Sequence, residues 1–109
     1  MAPASLSSSR DFRRIYRAGR KAREDGVTVW AAPVPGDQPG RLGIAIRASA
    51  GTAVERNRAR RRIRAIVRAA GPIDHDLVVA TDRSAATASF QELASHLGRA
   101  LAAAVGSGC

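Results

Sequence analysis

Apolar and polar positions alternate along this chain with two periods, and the switches between them divide it into helices and strands. Phe12, Ile15 and Tyr16 recur at helical spacing after Ser8 and Asp11, which read as a capping box, and before a terminating Gly19. This predicts a helix over Ser9 to Ala18 whose other face is Arg10, Arg13, Arg14 and Arg17. The period then falls to two. Val27-Thr28-Val29-Trp30-Ala31-Ala32 predicts a strand with Thr28 and Trp30 on one face and Val27 and Val29 on the other, and the charged stretch before it has room for a short edge strand. A Pro- and Gly-rich loop, Pro33 to Gly40, leads to a second alternating run in which Leu42, Ile44 and Ile46 point inward. Gly43 and Ala45 leave the opposite face of that run nearly bare, with room for another backbone or a ligand to approach.

Beyond a turn at residues 48–51 the helical period returns. Thr52 supplies an N-cap, and Thr52, Ala59, Ile63, Ile66, Val67 and Ala70 share one stripe before Gly71-Pro72 ends the helix. Asp76 to Thr81 reads as a buried strand. Ser89 with Glu92 forms another capping box, opening a helix with Phe90, Leu93, Ala94, Leu97, Leu101 and Ala104 on one face. The predicted fold is α+β, a two-layer sandwich in the order α-β-β-β-α-β-α, in which the middle helix joins two strands as a βαβ crossover. One domain is expected over residues 9–105. Residues 1–8 are expected to be disordered, with Leu6 as a possible anchor, and residues 106–109 to fray.

Charge changes the picture most at the middle helix. Half of the residues from Glu55 to Arg68 are arginine, opposed by Glu55 alone. Asn57, Arg61, Arg64 and Arg68 line up opposite the apolar stripe, with Arg60 beside them. A ridge this dense repels itself unless anions are present, and guanidinium groups donate paired hydrogen bonds to phosphate oxygens. The net charge of +9 and the sequence pI near 11.6 are the footprint of a nucleic-acid binder. Seven basic residues lie between Arg10 and Arg23 and seven between Arg56 and Arg68, out of 18. Two concentrated basic elements describe a shaped surface.

The remaining chemistry is for binding. Phe12, Tyr16 and Trp30 can stack bases beside cationic groups, as in single-strand binders, although each also suits the core. Asp74, His75 and Asp76 sit at a strand entrance where neighbours face opposite ways, and read as a solvated turn. No zinc-binding, phosphate-loop or nucleophile motif is present, so the polypeptide is expected to break no bonds. Cys109 is the single cysteine, no apolar run is long enough to cross a membrane, and the N-terminus lacks the pattern of a secretory signal. A cytoplasmic protein is expected, with no membrane partner and no small-molecule substrate. The charge alone would also suit an RNA-binding protein of the ribosomal type, whereas a DNA-binding module would need a helix-turn-helix or dimerising heptads that are missing here.

One stretch is more specific. Gly51, Ala53 and Val54, then Arg56-Asn57-Arg58, Arg60-Arg61, Ile63 and Arg64, resemble the G-x-A-V, R-N-R and x-[KR]-R-x-[IL]-R hallmark of the protein subunit of bacterial ribonuclease P. Asp11-Phe12-Arg13-Arg14-Ile15-Tyr16-Arg17-Ala18-Gly19 is similar to that family's D-F-x-x-[VI]-[FY]-x-x-G, and Asp76 to Ala80 fits its last strand. The chain departs from the pattern at Ala48 and Ser49, where lysines are common, with Arg47 the nearest cation. It departs again at Thr81, where an arginine is frequent, with Arg83 two residues on. The resemblance implies a left-handed crossover around the arginine helix. It also implies a ribonucleoprotein whose RNA subunit, with bound Mg2+, removes the 5′ leader from precursor tRNA. By the same resemblance Arg56, Asn57, Arg58, Arg60, Arg61, Arg64 and Arg68 face the ribonuclease P RNA, and Phe12, Tyr16, Trp30, Gly43 and Ala45 line a cleft for the leader.

Overall fold

The computed structural model describes residues 4–6, 8–34, 36, 39–47, 49, 51–71 and 73–106. The elements run β1 (Ala4–Ser5), α1 (Ser9–Ala18), β2 (Arg20–Glu24), β3 (Val27–Pro33), β4 (Arg41–Ile46), α2 (Ala53–Ala69), β5 (His75–Thr81), α3 (Ser84–Thr87) and α4 (Phe90–Val105). The strands form one mixed sheet in the order β1-β4-β5-β3-β2, with β1 and β5 parallel to β4 and the other pairs antiparallel. The α+β reading therefore holds, and α2 is the crossover between the parallel neighbours β4 and β5.

The two faces of the sheet are covered unequally. Val27, Val29, Leu42, Leu77 and Val79 meet Ala59, Ile63, Ile66 and Val67 of α2, Ala85 and Ala86 of α3, and Leu93, Leu97, Ala100 and Ala104 of α4. This is the main core. The four α2 residues are the interior of the predicted stripe; its ends, Thr52 and Ala70, are exposed. On the other face lies a smaller cluster of Leu6, Ile15, Ala32 and Val78, with Phe12, Trp30 and Ala45 against it. A single helix, α1, covers part of this face, and the rest is open.

Local signals explain most element boundaries. Thr52 and Ser89 cap α2 and α4, each closing a full capping box with Glu55 and Glu92. The β2–β3 hairpin turns at Asp25-Gly26, both at positive φ (45° and 80°), as a two-residue primed turn demands.

Three expectations change. At α1, Ser8 accepts from the Arg10 amide rather than closing a box, because Asp11 is engaged by Arg41. The segment expected to be disordered contributes β1 and the buried Leu6, whose amide donates to the Leu42 carbonyl at 2.8 Å. Parallel pairing to β4 and an apolar seat for Leu6 hold it; residues 1–3 and 7 lie outside the described residues, as do Pro72 and 107–109. Finally, the short helix α3 adds an element to the expected order. Asp82 accepts from the Ser84 amide at 2.9 Å and so starts it.

Candidate nucleic-acid interface

Along α2 the arginines divide according to what they touch. Asn57, Arg58, Arg61, Arg64 and Arg68 are exposed, and the side chains of Arg61, Arg64 and Arg68 have no ion pair or hydrogen bond to the described residues. Arg56 reaches back toward the Thr52 carbonyl at 3.5 Å and Arg60 donates to Asn57 Oδ1 at 3.2 Å. Arg62 behaves differently. Its Nη1 donates to the carbonyls of Ala85, Ala86 and Ala88 at 3.4, 3.3 and 2.8 Å, and Arg58 reaches Ala86 at 3.5 Å. A cation there satisfies carbonyls at the C-terminal end of α3, where the helix leaves them unpaired. Arg62→Ala is expected to cost about 1–3 kcal/mol of stability, read by thermal unfolding, because the Ala85 and Ala88 carbonyls are left without their charged donor.

The open part of the sheet face is a groove of about 880 Å³. Tyr16 on α1, Trp30 and Thr28 on β3, and Ala45 on β4 line it, with Arg23, Arg47, Ser49, Arg60 and Arg83 around them. Tyr16 meets Trp30 edge-on with ring centroids 4.8 Å apart, and Phe12 lies 6.2 Å from Tyr16. Lys21 Nζ stands 5.6 Å over the indole, within cation–π range. Tyr16 remains 42% exposed, so its ring can still receive a base. Partial burial raises its hydroxyl pKa above the usual value.

Three of the five residues expected in the cleft, Tyr16, Trp30 and Ala45, line the groove, while Phe12 and Gly43 do not and pack on each other. Gly43 is buried, and a Cβ there would lie 2.7 Å from Phe12 Cζ and 3.2 Å from Leu6 Cβ. The space at Gly43 is taken by Phe12 and not left for a ligand; glycine lets the α1 ring sit down on β4. Ala45, two residues on, does line the groove. Arg60, expected on the ridge, lines the groove as well, so the two basic surfaces meet there.

Arg23, Arg47 and Arg83 join the groove without having been assigned to it by sequence. Arg47 and Arg83 stand near the positions where lysines and an arginine are missing, and Arg83 is held by Glu55 at 3.1 Å. A sequence signal for Arg23 exists: the Asp25-Gly26 turn fixes the hairpin register, pairing Arg23 with Thr28 and Lys21 with Trp30.

A further group sits behind α1. Asp76 is fully buried and accepts from Arg14 Nη2, from Arg41 Nη2 at 3.0 Å and from the Arg41 amide at 3.1 Å. Arg41 also reaches Asp11 at 3.4 Å. The solvated-turn reading of Asp76 is therefore corrected: it is an internal anion held by two guanidinium groups. Burial pushes its carboxyl pKa up, but the hydrogen bonds from Arg41 and Arg14 outweigh that and leave it below the usual range. A lowered folded pKa contributes stability that is fully present above the unfolded value of about 3.9 and is lost as pH falls through the folded value. The stability gap between wild type and Asp76→Asn is thus expected to be constant near neutrality and to narrow below about pH 4. Chemical denaturation at a series of pH values measures it.

Among the described residues no three His, Cys, Asp or Glu side chains are placed to hold a metal ion. Asp11, Asp76 and Glu55 are taken up by arginines, so they do not fit a Mg2+ site. Nor is any described helix long and apolar enough to cross a membrane.

The chain is similar to proteins of one family. The family model described as ribonuclease P matches residues 2–105. The ribonuclease P protein component of Acidothermus cellulolyticus is 38% identical over 100 residues, covering 88% of this chain and 83% of that one. That of Thermus oshimai is 43% identical over 98 residues, covering 89% of this chain and 62% of its own length. The solved Staphylococcus aureus RNase P protein superposes with a TM-score of 0.79 at 25% identity, covering 89% of this chain and 91% of that one. With a family match spanning nearly its whole length and a shared α+β fold, the chain belongs to the ribonuclease P protein family.

Proposed function

We propose that this chain binds the catalytic RNA of ribonuclease P through the α2 ridge and the 5′ leader of precursor tRNA through the groove beneath Tyr16. In this reading hydrolysis of the leader phosphodiester, with its Mg2+, belongs to the RNA subunit, and the assembly works in the cytoplasm. The observation that carries it is the pairing of two distinct basic surfaces. One is a convex row of unpartnered arginines, suited to a folded RNA backbone; the other is a concave aromatic floor rimmed by Arg23, Arg47, Arg60 and Arg83, suited to an extended strand. Cations on both surfaces lower the repulsion between the two RNAs. A grip on the leader adds affinity that only a precursor can use, so mature tRNA is released.

The decisive experiment is reconstitution. The purified chain, added to a bacterial ribonuclease P RNA, should restore precursor-tRNA cleavage at low magnesium; no stimulation at any protein concentration would sink the assignment. In the reconstituted enzyme, Tyr16→Ala is expected to weaken precursor-tRNA binding by roughly five- to a hundredfold, the range for removing one base stack, while sparing mature tRNA. An equal drop for both tRNAs would show that Tyr16 serves the core.

A further inference from the structure

The helix that carries Tyr16 is attached to the sheet by little apolar surface. Ile15 is its one fully buried side chain, and Phe12 is half-buried on Gly43. Polar contacts do the rest. Arg14 donates to buried Asp76 and, at 3.3 Å, to the Pro33 carbonyl, while Asp11 is held by Arg41, which also binds Asp76. Asp11 and Arg14 are one turn apart on α1, so the helix is fastened at two points whose partners lie on β3, β4 and β5. Such contacts are directional, since a planar guanidinium fixes the line of approach of each carboxylate. An apolar patch of similar area would let the helix roll or slide. None of the four charged residues lines the groove.

We propose that Asp76, acting through Arg14, Arg41 and Asp11, is a positioning residue for the groove: it holds α1 at the rotation and height that set Tyr16 against Trp30. Asp76 touches no RNA in this arrangement; its effect reaches the groove through α1. The proposal rests on the reading of the groove as the leader site, and the test separates the two.

Trp30 is the only tryptophan, so its emission in the free protein reports how Tyr16 and α1 sit over it. Asp76→Asn keeps the side-chain shape and removes the charge; Asp11→Ala cuts only the outer, partly exposed contact. Three quantities are read at temperatures where circular dichroism shows each variant folded. They are Trp30 emission, affinity for ribonuclease P RNA, and the ratio of precursor to mature tRNA affinity in the holoenzyme. Asp76→Asn should shift the emission and lower the ratio by roughly three- to tenfold while RNA affinity stays within about twofold, because α2 is untouched. Asp11→Ala should move the same two readouts less, in the same direction.

An unchanged ratio and emission in folded Asp76→Asn overturns the proposal, as does a fall in ribonuclease P RNA affinity as large as the fall in discrimination. If Asp76→Asn does not fold, Asp11→Ala decides by the same criteria. If Tyr16→Ala leaves the ratio unchanged, it is the leader reading that fails, and the emission shift alone then decides whether Asp76 positions α1.

Discussion

Replacing Arg61 and Arg64 together by alanine is expected to weaken assembly with ribonuclease P RNA by roughly ten- to a hundredfold at low salt. The slope of log affinity against log salt should flatten by about two, one for each phosphate no longer neutralised. Both side chains are exposed, point away from the apolar stripe of α2, and have no partner among the described residues, so alanine leaves no buried group unsatisfied. Alanine is also the best helix former, so the folded chain should be as stable as before. The effect should therefore appear in binding and not in unfolding. Binding measured across a salt series checks both numbers, and a double variant that assembles with an unchanged slope would remove the ridge from the interface.

The opposite result is expected at Ile63 on the same helix. Ile63→Ala should destabilise the fold by about 2–5 kcal/mol. For a domain of this size that is a fall in melting temperature of roughly 10–20 °C. Ile63 is wholly buried, with the β-strand residues Leu77 and Val79 and the α4 residues Leu93 and Leu97 in the same core cluster. Rigid strands on one side and a capped helix on the other limit how far the cavity can close. A thermal melt beside Arg61→Ala, expected within about 0.5 kcal/mol of wild type, makes the contrast between near neighbours in sequence. RNA binding by Ile63→Ala should recover in the cold, where the folded fraction recovers.

What could be read in the sequence followed the range of the forces concerned. The inner part of the α2 stripe, the alternation of β3, the N-cap at Thr52 and the capping box at Ser89 are settled between residues a few positions apart, and they stand as expected. The pairing of Tyr16 with Trp30 is legible only as membership of a common surface, through the family resemblance. Asp76 reads wrongly as solvated because its partners Arg14 and Arg41 lie 62 and 35 positions away, and nothing local distinguishes a carboxylate that will be buried from one that will be solvated. Ser8 and Asp11 fail as a box for the same reason: a distant arginine competes for Asp11. Gly43 shows that an empty face can be filled from another element, here by Phe12. The four-residue α3, rich in alanine, carries too little periodicity to announce itself.

The place of β5 in the sheet has a consequence for the order in which the molecule comes into being. It lies between β4 and β3, yet it follows both in the chain. Until Thr81 has left the ribosome, β3 and β4 have a vacant slot between them, and the apolar side of α2 has neither β5 nor α4 to rest on. Closing that slot needs partners from distant parts of the chain, which makes the step slow relative to helix formation. The arginine-rich helix is therefore synthesised before the core that will orient it, and the nascent chain carries its positive charge for a time without a fixed shape. The two basic surfaces acquire their positions relative to each other late, when β5 inserts.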